Sequence, residues 1–161
     1  MTDDLALELE ALYRSGYGRF CNTLVTVTGS RELAREAVQE AFAQALASRA
    51  RFRREGSLEA WVWTIAVRQG ARLRARSQAL PRDSQGSTGE PERDPELAAA
   101  VRALPPRRRL IVFLRYFGGL SYAEIAAVCG ISEGTVGATL AKAHDALRKE
   151  LCGRAYAGGR T

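Results

Sequence analysis

Apolar residues recur every three or four positions through most of this chain, and no strict alternation of useful length occurs, so the pattern predicts helices and no sheet. Leu5, Leu9, Leu12 and Tyr13, continued by Phe20, Leu24 and Val27 beyond Gly16 and Gly18, fit two helices or one interrupted helix. Thr28-Gly29-Ser30 is a break, with Ser30 placed to cap the next helix. That helix, roughly Arg31 to Ser48, is expected to bury Leu33, Ala37, Ala41, Phe42, Ala45 and Leu46 and to show Glu36, Gln39, Glu40 and Gln44. Arg49 to Glu55 reads as a basic connector, punctuated by Gly56-Ser57 before a helix from about Leu58 to Arg76. Its apolar side carries Leu58, Trp61, Val62, Ile65, Ala66 and Leu73, while Arg68, Arg72 and Arg76 form a strip at four-residue intervals. Trp61 and Trp63 fall on different sides, which leaves one free to be partly exposed, where an indole can stack on an unpaired base. A core role for both is the default for tryptophan.

Ser77 to Pro95 holds three prolines and two glycines among polar residues and reads as a linker. Helical spacing resumes with Leu97, Val101 and Leu104, then with Leu110, Ile111, Phe113, Leu114 and Phe117 behind a helix-starting Pro106; Gly118-Gly119 ends that run. Leu120 to Ala143 predicts two short helices joined by a tight turn. Ser121 and Glu124 have the spacing of a capping box, Tyr122, Ile125, Ala126 and Cys129 give one apolar side, and Gly130 supplies the stop. Ser132 caps the second helix, which buries Val136, Leu140, Ala143 and Leu147 and leaves Glu133, Thr135, Gly137, Ala138, Thr139 and Lys142 facing outward. In a helix-turn-helix those early exposed positions enter the major groove, although any helical hairpin in a bundle shares the layout. The expected fold is all-α: two small helical domains, residues 1–76 and 96–152, joined by a flexible linker, residues 77–95, with the helix-turn-helix in the second and a loose tail from 153.

Charge sharpens this picture. The 161 residues carry a net +6, distributed as −3 over residues 1–48, +6 over 49–76, −2 over 77–104 and +5 over 105–161, so two basic blocks flank an acidic interval, as if two surfaces touch one polyanion. Like charges one turn apart repel, and a phosphate backbone beside Arg68, Arg72 and Arg76, or a basic partner beside Glu36 and Glu40, offsets that. All basic residues except Lys142 and Lys149 are arginine, which grips phosphate but also follows from a genome-wide codon bias.

Enzyme chemistry finds little footing. Cys21, Cys129 and Cys152 lack the paired spacing of a zinc site, and their odd number does not suggest a disulfide framework. His144, the one histidine, sits on a predicted helix surface and reads as solvated; catalytic carboxylate clusters, phosphate-cradling glycine loops and metal motifs are missing. A recombinase or nuclease with an appended helix-turn-helix is thereby disfavoured, and no cofactor or metal is expected. No apolar run reaches the ~20 residues that span a bilayer, and the acidic start is no signal peptide, so the expectation is a cytoplasmic protein with no direct membrane insertion.

In this order and length the chain resembles the extracytoplasmic-function (ECF) sigma factors of the sigma-70 family. The resemblance covers the first block with its VQEAF segment at Val38 to Phe42, the RFRREGSLEAWVWTIAVRQGARLRAR stretch with Trp61, Ile65 and Ala66, and the segment from Ala103 to Leu151. It implies a non-catalytic protein that binds core RNA polymerase, directs it to a class of promoters and opens them. Glu36, Gln39 and Glu40 match the surface for the clamp helices of the polymerase beta-prime subunit. Arg53, Arg54, Glu55, Gly56 and Ser57 match the loop that receives a flipped base of the −10 element, with Trp61, Arg68 and Arg72 on the adjoining helix. Ser132, Thr135, Gly137, Ala138, Thr139 and Lys142 match the helix that reads the −35 element, and the Leu110 to Phe117 helix would face the beta flap. An anti-sigma factor is implied as a further partner, the linker letting the domains close together under it and separate on polymerase or DNA. Two positions depart from the family: Arg68 stands where asparagine is usual and Arg72 where an acid is frequent, and the reading helix keeps only Lys142 of its usual basic set. Glycine and alanine make no bidentate base contact. A divergent sigma-like regulator with weak or no promoter recognition is the alternative.

Overall fold

A computed structural model describes residues 2–78 and 94–157, and these fold into seven α-helices with no strand among them. In chain order they are α1 (Thr2–Thr28), α2 (Arg31–Ala47), α3 (Leu58–Gln78), α4 (Pro95–Ala103), α5 (Pro106–Tyr116), α6 (Tyr122–Cys129) and α7 (Glu133–Ala157), with a single 3₁₀ turn at Arg49–Arg51 between α2 and α3. Most of the segment expected as a linker lies outside the described residues.

Helices α1, α2 and α3 pack on one another around a ladder of rings. Phe20 stacks on Trp63 at a centroid distance of 3.8 Å and meets Phe42 edge-on at 5.2 Å, and Phe42 in turn meets Tyr13 at 5.1 Å. Phe20 and Trp63 are fully buried, as are Leu24, Val38 and Val62, and each such side chain contributes roughly 1.5–3 kcal/mol. The tryptophans divide as the half-turn spacing allows: Trp63 is core and Trp61 is half-buried. The break between α1 and α2 is built by buried Thr28, whose Oγ1 lies 2.9 Å from the carbonyls of both Leu24 and Ser30 and accepts from the Ser30 amide. Ser30 then caps α2, accepting from the Leu33 amide at 3.3 Å.

The second module closes α5, α6 and α7 over Ile111, Leu114, Leu120, Ile125, Val136, Leu140 and Ala143. Asp94 caps α4 through the amides of Glu96 and Leu97. Glycine is obligatory where α5 stops: a Cβ on Gly118 would lie 2.7 Å from the Leu114 carbonyl oxygen, and Gly119 takes φ +65° so that the Leu120 amide can bond back to Leu114 at 3.1 Å.

Several expectations change. Residues 5–27 belong to one continuous helix, Gly16 being buried against the Phe20 ring. Leu46 is exposed, and in α6 Val128 is buried while Tyr122 keeps 41% of its surface in solvent, because α6 packs on α3 and α7 as well as on α5. Helix α7 runs to Ala157, so residues 153–157 are helical instead of a loose tail. The two modules also touch, α1 against α5 and α3 against α6, and their apolar side chains merge into one cluster.

Candidate nucleic-acid interface

Three surfaces gather the residues singled out from sequence. The first is the connector between α2 and α3. The chain leaves α2 through the 3₁₀ turn, and Phe52 turns back to lie 5.2 Å from the ring of Trp61. Arg54 adopts a left-handed backbone, φ +55°, a strained state for a residue with a side chain, and its guanidinium donates to Glu8 on α1 at 2.9 Å. Ser57 caps α3 by accepting from the Ala60 amide at 3.1 Å. The result is an open cleft of about 440 Å³ lined by Arg51, Phe52, Arg53, Glu55, Gly56, Ser57, Ala60, Trp61 and Thr64 on one side and by Ala123, Glu124 and Ala127 of α6 on the other. It combines flat ring faces with exposed guanidinium groups, the pairing that suits a nucleobase attached to a phosphate chain. Of the expected −10 set, Arg53, Glu55, Gly56, Ser57 and Trp61 line this cleft; Arg54 points to α1, and Arg68 and Arg72 lie further along α3 in solvent. Arg51, Phe52 and Thr64 join it without having been singled out.

The second surface is the outer side of α2. Glu36 and Gln39 are exposed, and Glu40 accepts from the Arg72 guanidinium across to α3 at 3.4 Å. Gln44 and Gln69 bond at 2.5 Å one turn further on. The expected polymerase face and the arginine strip are thus adjacent, and one residue of each is paired with the other.

The third is the helix-turn-helix of α6 and α7. The capping box is complete: Ser121 Oγ accepts from the Glu124 amide at 3.1 Å and Glu124 Oε2 accepts from the Ser121 amide at 2.9 Å. Gly130 takes φ +66° at the stop, and Ser132 caps α7 through the Thr135 amide at 3.1 Å while its hydroxyl meets that of Thr135 at 2.8 Å. Ser132, Thr135, Ala138 and Lys142 are exposed along one side of α7, with Gly137 and Thr139 half-buried beside them. Gly137 faces the ring of Tyr122, over which the Arg115 guanidinium sits at 5.2 Å. His144 is not simply solvated: its Nε2 lies 2.6 Å from the Tyr116 hydroxyl, tying α7 to α5.

Electrostatics single out Glu124. Partial burial pushes its carboxyl upward, but hydrogen bonds from Ser57 and Ser121 outweigh this and hold it below the usual carboxylate value. Burial raises the Cys21 and Cys129 thiols above the ordinary value, which disfavours the thiolate form. No group of three or more His, Cys, Asp or Glu side chains that could hold a metal occurs among the described residues.

A chain built from a three-helix module and a helix-turn-helix module, each with cations beside an exposed reading element, is a two-part DNA-binding transcription protein. Comparison with known proteins makes the class specific. Residues 12–79 match the family model for sigma-70 region 2, and residues 95–147 match that for sigma-70 region 4. The chain is 29% identical over 161 residues to the RNA polymerase sigma factor YlaC of Bacillus subtilis, covering 89% of this chain and 91% of that one. It is 32% identical over 134 residues to the ECF RNA polymerase sigma factor EcfG of Rhodopseudomonas palustris, covering 76% and 74%. The fold matches CnrH solved with the cytosolic domain of CnrY, at TM-score 0.66 and 19% identity over 90% of this chain and 88% of that one. It also matches RpoE of Bartonella quintana solved with the anti-sigma factor NepR, at TM-score 0.62 and 23% identity over 92% and 94%. The chain belongs to the sigma-70 family as an ECF RNA polymerase sigma factor, a protein that joins core RNA polymerase and directs transcription initiation at promoters. No described helix is long and apolar enough to cross a membrane.

Proposed function

We propose that the two modules divide promoter recognition as follows. The first module, residues 1–76, docks on the polymerase clamp helices through Glu36, Gln39 and Glu40, and the connector at Arg53, Glu55, Gly56 and Ser57 receives a base extruded from the −10 element. Extrusion costs a few kcal/mol of stacking, which the ring pair of Phe52 and Trp61 and the neighbouring cations offset. Arg68 and Arg72 steer the adjoining phosphates, and Arg54 sets the shape of the connector. The second module, residues 96–152, lays the start of α7 in the major groove of the −35 element, where Ser132, Thr135 and Lys142 contact backbone and Gly137, Ala138 and Thr139 read groove shape more than base identity. The whole role is non-catalytic and cytoplasmic, where the polymerase is, and an anti-sigma factor is the expected regulator.

The observation that carries this reading is the cleft, in which flat apolar rings and unpaired guanidinium groups converge on a space open to solvent. Run-off transcription with purified core polymerase on a promoter library is the test. A discrete set of transcripts that depends on Trp61 and Arg53 is expected; polymerase binding with no promoter-specific transcript from any template would favour the divergent regulator instead.

A further inference from the structure

Among the described residues the backbone takes a positive φ at Gly29, Gly119 and Gly130, where it carries no side-chain penalty, and at one residue that has a side chain, Arg54. A left-handed conformation on such a residue is strained and persists only where its surroundings hold it, most often at a binding site. Glycine would make the same turn without strain, so the arginine side chain has a use of its own.

That use is visible on the far side of the connector. Arg53 and Glu55 line the cleft, whereas the Arg54 guanidinium leaves in the other direction and donates to Glu8 of α1 at 2.9 Å. Glu8 stands on a firm support, because Leu5 and Leu9 of the same helix are buried on either side of it in sequence. Its charge runs against the electrostatics of the region. A carboxylate beside a loop that meets a polyanion repels it, and pairing with Arg54 takes one cation away from phosphate.

We propose that Glu8 is a positioning residue for the −10 connector: through Arg54 it holds the left-handed turn, and the turn sets Arg53 and Glu55 against the cleft. This rests on the reading of the cleft as a base-receiving site given above. It also gives a part in base capture to a residue that precedes the segment matching sigma-70 region 2, residues 12–79.

The test is a double-mutant cycle on the full chain. The probe is a single-stranded DNA oligonucleotide carrying a fluorescent aminopurine base, whose emission responds to stacking on the Phe52 and Trp61 rings. Glu8→Gln removes the charge at nearly equal helix propensity, and Arg54→Asn supplies a residue that enters the left-handed region readily without help from Glu8. Circular dichroism checks that each variant is folded. Because the pair is exposed, E8Q is expected to capture the base roughly two- to fivefold more weakly than wild type. Loss of a negative charge alone would give tighter binding, so the sign separates positioning from bulk electrostatics. In the R54N background, E8Q is expected to cause no such loss. An E8Q chain that binds as tightly as wild type, or an equal loss in both backgrounds, overturns the positioning role. A wild type that leaves the aminopurine emission unchanged at every concentration refutes the base-receiving cleft itself, a failure that the transcription assay on Trp61 and Arg53 reads independently.

Discussion

Gly137 occupies the second turn of α7, where a side chain would be expected to face DNA, and replacing it separates helix stability from DNA contact. A Cβ at this position would lie 3.5 Å from Tyr122 Cε2 and 4.0 Å from Cδ2, an ordinary contact distance, and its backbone is not in the left-handed region. Alanine therefore fits without strain and should stabilise α7 by about 0.8–1.0 kcal/mol relative to glycine. For a chain of this size that is a rise of roughly 2–4 °C in Tm, and about twice that if the second module melts alone. Thermal unfolding followed by circular dichroism measures it. Arginine at the same position has nearly the same helix propensity as alanine, and its long side chain starts over the edge of the Tyr122 ring, beside the Arg115 guanidinium, and reaches solvent next to exposed Ala138. One bidentate base contact is worth about 1–3 kcal/mol, so G137R should bind a −35 duplex roughly 5- to 150-fold more tightly than G137A at equal salt. A lower Tm for G137A would show that the Tyr122 ring does not leave the space described. Equal duplex affinity for G137R and G137A would refute the placement of α7 in the groove.

Trp63→Ala removes the fully buried ring stacked on Phe20 and should cost about 3–5 kcal/mol, seen as a shift of the urea midpoint to far lower concentration. Glu40→Ala breaks an exposed ion pair with Arg72 and should change stability by no more than ~0.5 kcal/mol while weakening capture by core polymerase about tenfold or more in a fluorescence anisotropy titration. The Glu124 carboxyl is held below its ordinary value in the folded chain, so it contributes stability that is fully present above the unfolded carboxylate pKa and is lost as pH falls through the lower folded value. Glu124→Gln, which retains the capping pattern, should flatten that part of the acid limb in a plot of Tm against pH; an unchanged limb would place the titration elsewhere.

Local chemistry explains what could be read in advance. Ser30, Ser121, Gly130 and Ser132 punctuate helices through bonds that span two to four residues, and the sequence holds both ends of each. Gly16 and Gly18 misled for the opposite reason: glycine lowers helix stability by up to ~1 kcal/mol, but the packing of α1 on α2 and α3 overrides that propensity. Tyr122 and Val128 exchanged roles because the spacing of apolar residues on an eight-residue helix fits more than one stripe, and only the direction of its neighbours chooses between them. Bonds between distant positions left no trace in the pattern: Ser57 and Glu124 are 67 residues apart, Arg72 and Glu40 are 32 apart, and Tyr116 and His144 are 28 apart. Composition marked the connector only as basic, and its proposed role as a site came from the family resemblance; neither signal pointed to the helix that walls it.

The division of labour between the two indoles gives the molecule a pair of native optical probes. Trp63, sealed against Phe20, emits from an apolar surrounding that changes only when the first module melts. Trp61, half-covered and tilted against Phe52, looks into the cleft, so a nucleobase stacking there should quench its fluorescence while leaving the Trp63 band in place. Base capture by the chain on its own could then be followed in a Trp63→Phe variant titrated with single-stranded DNA, with no dye attached to protein or DNA.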